Sequence, residues 1–322
     1  MVLLTVVIGG VTRLTESGLS ITEWKPVSGV LPPLNATEWE AEFAKYRQIP
    51  EYREINSGMD LAGFKQIFLV EYVHRLWARL VGVAFAIPFL VFLFRKRIPA
   101  GLRGRLWGLL VLLGMQGFMG WYMVQSGLTD RTDVSQYRLA AHLGLALVIF
   151  GITVWTAADL LDRGGRRGMG GPGTGMAVGF AMLVFVTVMT GAFVAGLDAG
   201  KAYNTFPLMG GRVVPLGYLQ MNPWYRNLFE HLPAVQFNHR LLGLLTLVAS
   251  AGIVWRNRLA GPRSAWAAWL GVTALVQVGL GVATLLLVVP IPLAAAHQAG
   301  AVILLGLALL HWRSRGSEGP QP

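Results

Sequence analysis

The sequence predicts an all-α integral membrane protein with eight transmembrane helices, arranged as two parallel-related four-helix bundles. Three observations predict it. Of 322 residues, 54% are hydrophobic and only 13% are charged, a balance typical of a chain that lives in lipid. Apolar segments recur at about the 20 residues that a spanning helix needs. The pattern of the first half of the chain returns in the second.

Eight apolar segments are candidates for spanning helices. The first is short for a bilayer, which predicts that residues precede Met1 or that the start site is misplaced. A cleaved signal peptide is disfavoured, because no basic region precedes the segment and no cleavage pattern follows it. The segments cover about 1–13, 68–94, 105–125, 138–160, 176–197, 234–255, 265–289 and 292–312.

Basic residues predict the orientation. They occupy alternate connections, and the positive-inside rule places that side in the cytoplasm of a bacterial inner membrane. Both termini are then cytoplasmic, and the connections 14–67, 126–137, 198–233 and that around Pro290 face the periplasm. The rule also accounts for the net charge of +11, so we assign no nucleic-acid role. The clusters are Arg95, Lys96, Arg97, Arg103 and Arg105; Arg163, Arg166 and Arg167; Arg256, Arg258 and Arg263; and Arg313 and Arg315.

The first outer connection, 14–67, has the pattern of ordered structure. Thr37-Glu38-Trp39-Glu40 and Ser57-Gly58-Met59-Asp60 match capping boxes that open short helices. With Trp24 and Trp39 the connection is expected to form a lid on the membrane surface, where indole rings settle. The alternative is a passive connector.

The chain divides into two similar halves, 1–163 and 176–322, joined by a glycine-rich linker at 164–175. Four spans per half is an even number, so the repeats are parallel, related by an axis along the membrane normal. Matching positions are Gly9, Glu16, Gly18 and Trp24 with Gly191, Asp198, Gly200 and Phe206; His74-Arg75 with His239-Arg240; Gln116 and Gly120 with Gln277 and Gly281; and Ala140-Ala141-His142 with Ala295-Ala296-His297.

Four of the six histidines occupy matched positions in the two halves. A lone histidine in an apolar helix is more often a satisfied core residue, but two on facing helices of a four-helix bundle can hold a haem iron at both axial positions. We therefore predict one haem per half, towards the periplasmic side. His231 is expected at the surface and His311 at the membrane interface. The four candidate ligands are His74, His142, His239 and His297.

The strongest site signal is the stretch Glu71-Tyr72-Val73-His74-Arg75, followed one turn later by Arg79. Helical spacing places its ionisable groups on one stripe, and ionisable groups inside a membrane mark a functional site. The second half has Gln236 in place of Glu71, which suggests one half that reacts and one that supports. The alternative for Glu71 is a structural salt bridge to Arg75.

These motifs resemble those of the haem A synthase family, in the form with a long first outer loop found in alphaproteobacteria and mitochondria. The resemblance implies an oxidoreductase that converts the carbon-8 methyl group of haem O to a formyl group by two successive hydroxylations, giving haem A for cytochrome c oxidase. The absence of cysteine separates the chain from bacillus-type members with an outer-loop cysteine pair. The matching stretches are residues 9–26, 71–75, 236–240 and 296–298.

The resemblance also implies roles for individual residues. His74 and His142 would hold haem O as substrate, Glu71 would be the acid essential for chemistry, and His239 and His297 would ligate a permanent haem b. It further implies an electron acceptor that is not identified. Haem O synthase is a candidate handover partner, and a second copy of the chain is a candidate for homo-oligomer formation.

Two further assignments concern arginines and glycines. Arg75 and Arg240 are candidate partners for haem propionates, because guanidinium pairs well with carboxylate. Gly114, Gly117 and Gly120 are expected to serve close helix packing.

Two other functions compete with this interpretation. A dihaem b-type electron-transfer protein linked to quinol would explain the four histidines, but would leave Glu71 and the ordered outer connection unexplained. A haem transporter would need a polar path through the inner half of the bundle, and the sequence marks none.

Overall fold

The computed structural model describes residues 1–161, 173–259 and 265–315, and the regular structure of these ranges is helical. Seven helices are long and apolar enough to cross a membrane, whereas α1 is shorter. The helices are α1 (Val2–Leu14), α2 (Ala36–Tyr46), α3 (Pro50–Glu54), α4 (Leu61–Phe94), α5 (Ala100–Gln125), α6 (Gln136–Leu161), α7 (Thr174–Gly196), α8 (Asn227–Glu230), α9 (Leu232–Leu259), α10 (Ala265–Leu286) and α11 (Ile291–Arg315).

The chain forms two compact units, Met1–Ile149 and Phe150–Pro322, so their boundary falls inside α6. The predicted linker 164–175 lies outside the described residues except at 173–175. The basic residues Arg163, Arg166, Arg167 and Arg263 also lie outside the described residues. Division of the chain at that linker therefore stays a prediction.

In the C-terminal unit four long helices pack in a closed ring, because α7 contacts α9, α9 contacts α10, α10 contacts α11 and α11 contacts α7. The buried face of α7 carries small and branched side chains at intervals of three or four residues, the spacing of one helical stripe. They are Ala177, Ala181, Val184, Val188 and Ala192.

The N-terminal unit is built around α4, which contacts α1, α5 and α2. The connection between α1 and α4 folds onto the first turns of α4 through an aromatic cluster in which Phe43 and Tyr46 are completely buried against Phe64. Trp39 packs edge-on against Phe64 and Phe68. The connection is therefore ordered, as the sequence predicted.

Four charged side chains add a network within this connection. Lys25 Nζ lies 2.6 Å from Glu23 and 3.1 Å from Glu42, and Lys45 Nζ lies 2.8 Å and 2.9 Å from the same two carboxylates. Hydrogen bonds from Lys25 and then Lys45 lower the pKa of Glu23. Networks of this kind order a segment better than isolated surface pairs do.

The predicted helix starts in this connection were wrong. The residue that caps α2 is Asn35, which accepts a hydrogen bond from the Glu38 backbone nitrogen at 3.0 Å, while Glu38 accepts one from the Leu34 backbone nitrogen at 2.7 Å. The pair Asn35 and Glu38 thus stands two positions before the predicted Thr37 box and satisfies free amides at the start of the helix. At the second box, Asp60 rather than Ser57 caps a helix.

That helix is α4 itself, which begins at Leu61 and not at 68. The short helix α3, which the sequence did not predict, begins at Pro50, where proline is favoured because the first helical amide has no partner inside the helix.

His311 is also placed differently from its prediction. Its side chain is 0% exposed, so it is a core residue of the C-terminal unit and not an interfacial one. Around it Trp312 packs edge-on against Trp155, and Arg313 Nε donates to Asp159 at 3.1 Å. Arg313 and Arg315 belong to the last turn of α11, where positive charge complements the helix dipole.

Candidate functional site

A glycine of a neighbouring helix faces the ring of each matched histidine in the N-terminal unit. A Cβ at Gly9 on α1 would lie 3.1 Å from Nε2 of His74 on α4. A Cβ at Gly120 on α5 would lie 3.2 Å from Cε1 of His142 on α6. Carbon atoms in contact prefer about 3.5–4.0 Å, so a larger residue at either glycine would displace the ring.

The C-terminal unit repeats this contact. A Cβ at Gly191 on α7 would lie 3.0 Å from Cε1 of His239 on α9, and one at Gly281 on α10 would lie 2.8 Å from Cε1 of His297 on α11. These glycines stand at matched positions in the two halves of the sequence, but the sequence pattern did not link them to the histidines. The matched spacing of glycines and histidines is visible in the sequence. It identifies these contacts only when one knows which helices face each other.

The packing role assigned to three glycines of α5 needs correction. Gly120 makes a close contact, with the His142 ring. A Cβ at Gly114 or Gly117 would meet no atom within 4 Å, so the prediction of close helix packing is wrong for these two. Gly117 instead lines the cavity of the N-terminal unit.

In the C-terminal unit the two imidazoles face each other at a distance that suits a shared metal ion. The ring centroids of His239 and His297 lie 6.2 Å apart, with the ring planes at 88°. Two metal–nitrogen bonds of about 2 Å each, with part of a ring at either end, require roughly this separation. The pair therefore fits ligation of a haem iron at both axial positions.

Hydrogen bonds at Nδ1 orient both rings of this pair. His239 Nδ1 lies 3.2 Å from the Thr187 carbonyl oxygen and 3.0 Å from Thr190 Oγ1. His297 Nδ1 lies 3.1 Å from the Gln277 carbonyl oxygen and also 3.1 Å from the side-chain amide nitrogen of the same residue. Each ring thus has a backbone acceptor for a proton on Nδ1, and in that tautomer Nε2 is unprotonated and able to bind metal.

The histidines of the N-terminal unit lack this arrangement. His142 Nδ1 lies 3.2 Å from the side-chain amide nitrogen of Gln116, as His297 Nδ1 does from that of Gln277, but no carbonyl oxygen among the described residues accepts from it. The His74 ring has no hydrogen bond to any described residue. At a constant offset Ile8 stands where the second half has Thr190, so the hydroxyl that holds His239 has no counterpart beside His74.

Both N-terminal histidines line one cavity of about 380 Å³ inside this unit. Most of its wall is apolar, and Glu71 and Arg75 also reach it. This volume lies within the range of roughly 300–1,000 Å³ of small-molecule sites. Three of its lining residues that the sequence did not single out for this site are Arg13, Glu51 and Asp133.

Glu71 is 2% exposed, and donors surround its carboxylate. Arg75 donates to Oε1 from Nε at 2.9 Å and from the terminal nitrogen Nη2 at 2.6 Å. Ser20 Oγ donates to Oε2 at 2.7 Å, and the Ile21 backbone nitrogen donates at 2.8 Å. The structural alternative, an ion pair with Arg75, is therefore present. The Glu71 carboxylate also holds the connection between α1 and α4 against α4.

The arginine after each histidine makes the same contact in both units. Arg75 donates to the carbonyl oxygens of Ile21 at 2.7 Å and Glu23 at 3.1 Å. At matched positions, Arg240 donates to the carbonyl oxygens of Tyr203 at 2.7 Å and Thr205 at 2.8 Å. Both arginines therefore fix the segment that follows the first helix of the unit.

We predict that Gly281→Ala lowers the haem content of the purified protein, because the new methyl group would press on the His297 ring. Overpacking of this kind costs about 1–3 kcal/mol. The matched control is Gly279→Ala on the same helix, where a Cβ would meet nothing within 4 Å. Absorption spectra of the two purified variants provide the measurement, and equal haem content in both would contradict the prediction.

Comparison with known proteins gives a consistent result. Residues 1–309 match the family model COX15-CtaA, described as cytochrome oxidase assembly protein. A protein of Parvibaculum lavamentivorans named heme A synthase is 51% identical over 313 residues, covering 97% of this chain and 90% of the relative. Proteins of the same name from Nitrosospira multiformis and Rhodospirillum centenum are each 50% identical, over 96% and 95% of this chain and 88% and 83% of the relatives.

No solved structure matches the chain. The family match covers most of the chain's length, including all four histidines of the two pairs and Glu71. The chain belongs to the COX15-CtaA family of cytochrome oxidase assembly proteins.

Proposed function

We propose that this chain is a haem A synthase, a multi-pass membrane enzyme that oxidises the carbon-8 methyl group of haem O to a formyl group by two successive hydroxylations. Membership of the family and the relatives named heme A synthase support it. The observation that carries the proposal is the placement of His74, His142 and Glu71 on one cavity of the N-terminal unit, while the C-terminal unit holds a second histidine pair at a separation that fits ligation.

The finer arrangement belongs to the same proposal. We infer eight spanning helices, with α1 as the eighth, in two parallel-related four-helix halves of a bacterial inner membrane. Both termini would be cytoplasmic and both haem sites would lie towards the periplasm. The matched left-handed turns after α1 and α7, at Glu16 (φ 52°) and Asp198 (φ 51°), support the repeat at the level of the backbone.

The C-terminal pair, His239 and His297, would hold haem b as a permanent cofactor. Their ring separation and backbone-held Nδ1 atoms fit such a ligand. Arg240 Nε is buried and has no hydrogen-bond partner in the described part of the chain, which makes it a candidate donor to a propionate. Bound there, haem b would supply a redox centre that takes electrons from the substrate site and passes them to an acceptor.

The N-terminal pair, His74 and His142, would hold haem O as substrate. A substrate must enter and leave, and imidazoles without a backbone acceptor at Nδ1 suit exchange better than permanent ligation. The cavity supplies the apolar surroundings that a macrocycle needs. Arg75 is a weaker candidate for a propionate than Arg240, because its Nε already donates to Glu71.

Glu71 would act on the reaction through its charge. Its two oxygens already accept hydrogen bonds from Arg75, Ser20 and Ile21, so the carboxylate is fixed in place. A fixed negative charge on the cavity wall stabilises positive charge that develops on the substrate as its methyl carbon is oxidised. We therefore favour electrostatic stabilisation over proton abstraction for Glu71.

The proposed function is tested by pigment analysis. Haems are extracted from membranes that contain haem O, with and without this chain, and the formyl product is sought. We expect haem A only where the chain is present. Quinol-linked electron transfer without any formyl product would instead support the dihaem electron-transfer protein.

We predict that His239→Ala or His297→Ala removes haem b from the purified protein, because each removes an axial ligand. His74→Ala or His142→Ala should leave haem b in place and abolish turnover. Haem b is measured by its absorption spectrum and turnover by the formyl product. Loss of haem b from the N-terminal variants but not from the C-terminal ones would reverse the assignment of the halves.

We predict that Glu71→Gln lowers formyl production about a hundredfold or more, the range expected when a fixed group that stabilises the transition state is removed, while haem b content stays normal. Ser20→Ala is the control. It removes one hydrogen bond to the Glu71 carboxylate and some hold on the α1–α4 connection, but it keeps the charge. If both variants lose turnover equally, Glu71 acts by positioning the connection and not by its charge.

A further inference from the structure

Glu51 is a buried carboxyl group on the wall of the N-terminal cavity that the mechanism above does not use. It lies on the short helix α3 and is 4% exposed. It lines the same cavity as His74 and His142. Its Oε2 atom is buried and has no hydrogen-bond partner among the described residues. An ionised carboxylate in this setting is costly, so the group favours its neutral form.

Five charged or titratable groups from different elements act on Glu51. They include one base and several acids, and Arg13 lies 3.6 Å from Asp133. Burial, followed by the nearby carboxylates, raises the pKa of Glu51 to about 8, and Arg13 offsets part of this effect. The groups are Arg13 on α1, Glu16 in the turn after it, Tyr46 on α2, Glu71 on α4 and Asp133 before α6.

Two of these carboxylates connect the cavity to water. Glu16 is exposed, the Asp133 side chain is 50% exposed, and both line the cavity. Glu51 therefore shares one cavity with two carboxylates that reach solvent. A group whose proton affinity is close to the working pH can both bind and release a proton there.

We propose that Glu51 is a proton carrier of the N-terminal cavity, taking up a proton released inside it and passing that proton to Glu16 and Asp133 at its exposed rim. In each transfer the Glu51 carboxylate gains one proton on the cavity side and loses one on the rim side, and no electron moves through it. This role rests on the proposed function, because conversion of a methyl to a formyl group removes hydrogen from the carbon atom.

The test compares Glu51→Gln, which cannot titrate, with Glu54→Gln, an exposed glutamate on the same helix. Formyl production is measured from about pH 7 to about pH 9, across the Glu51 pKa of about 8. We expect Glu51→Gln to lose about tenfold or more in rate, and to lose the part of the pH profile that titrates in this range. Glu54→Gln should match the parent, and Glu51→Asp should recover part of the rate with a shifted profile.

A second measurement does not depend on turnover. Because the folded state keeps a proton that the unfolded carboxyl group releases above about pH 4.5, the parent protein loses stability as pH rises from there through about 8. Glu51→Gln lacks the titrating carboxyl group, so it does not lose stability for this reason as the pH rises. Its unfolding temperature should therefore rise relative to the parent between about pH 6 and about pH 9, and that of Glu54→Gln should not.

The outcomes separate the two proposals. If the parent makes no formyl product, the proposed function fails. If the parent is active and Glu51→Gln has the same rate and pH profile, only the proton-carrier role is overturned. Should Glu51→Gln lack haem b, Glu51→Asp takes its place, and an unshifted pH profile in that variant overturns the role.

Discussion

The close contact between an imidazole ring and a glycine is the constraint on which both histidine pairs depend. At Gly9, Gly120, Gly191 and Gly281 the backbone of one helix lies against the ring carried by another. A side chain in this position would move both the ring and the helix. The ring position is thus set by packed backbone, which holds a ligand more rigidly than a flexible side chain could. Apolar packing of the long helices keeps these backbones together.

The two units share these contacts and differ in a few side chains at matched positions. The arginine that follows the matched histidine makes the same two carbonyl contacts in each. What differs is the chemistry around the rings. Thr190 holds the His239 ring where Ile8 stands near His74. The C-terminal helices close into a ring, whereas the N-terminal unit encloses a cavity. The two histidine pairs therefore have different surroundings although the contacts of their arginines are the same.

Seven long apolar helices and the matched sequence positions of the four histidines could be predicted, because apolar length and motif spacing are properties of the chain itself. The residues that contact the imidazole rings could not be predicted. Contacts such as Gly281 with His297, or Gln116 with His142, depend on which helices face each other. The start of α4 was missed since its first turns are too polar to count as membrane span. Glu51 was missed for a related reason. A glutamate in a long polar connection carries no sign of burial until Phe43, Tyr46 and Phe64 fold that connection onto α4.

Glu71 and its counterpart Gln236 differ in their hydrogen bonds as well as in their charge. Residue 21 presents its N–H to Glu71 and its carbonyl oxygen to Arg75, whereas the Tyr203 carbonyl oxygen accepts from both Gln236 and Arg240. The acid thus gathers two donors from the α1–α4 connection, Ser20 and Ile21, which an amide in its place would not satisfy equally. The carboxylate that faces the cavity is therefore also the group that fastens this connection to α4. Loss of its charge would alter the reaction site and the connection together, and only a variant such as Ser20→Ala, which weakens the connection alone, can separate the two effects.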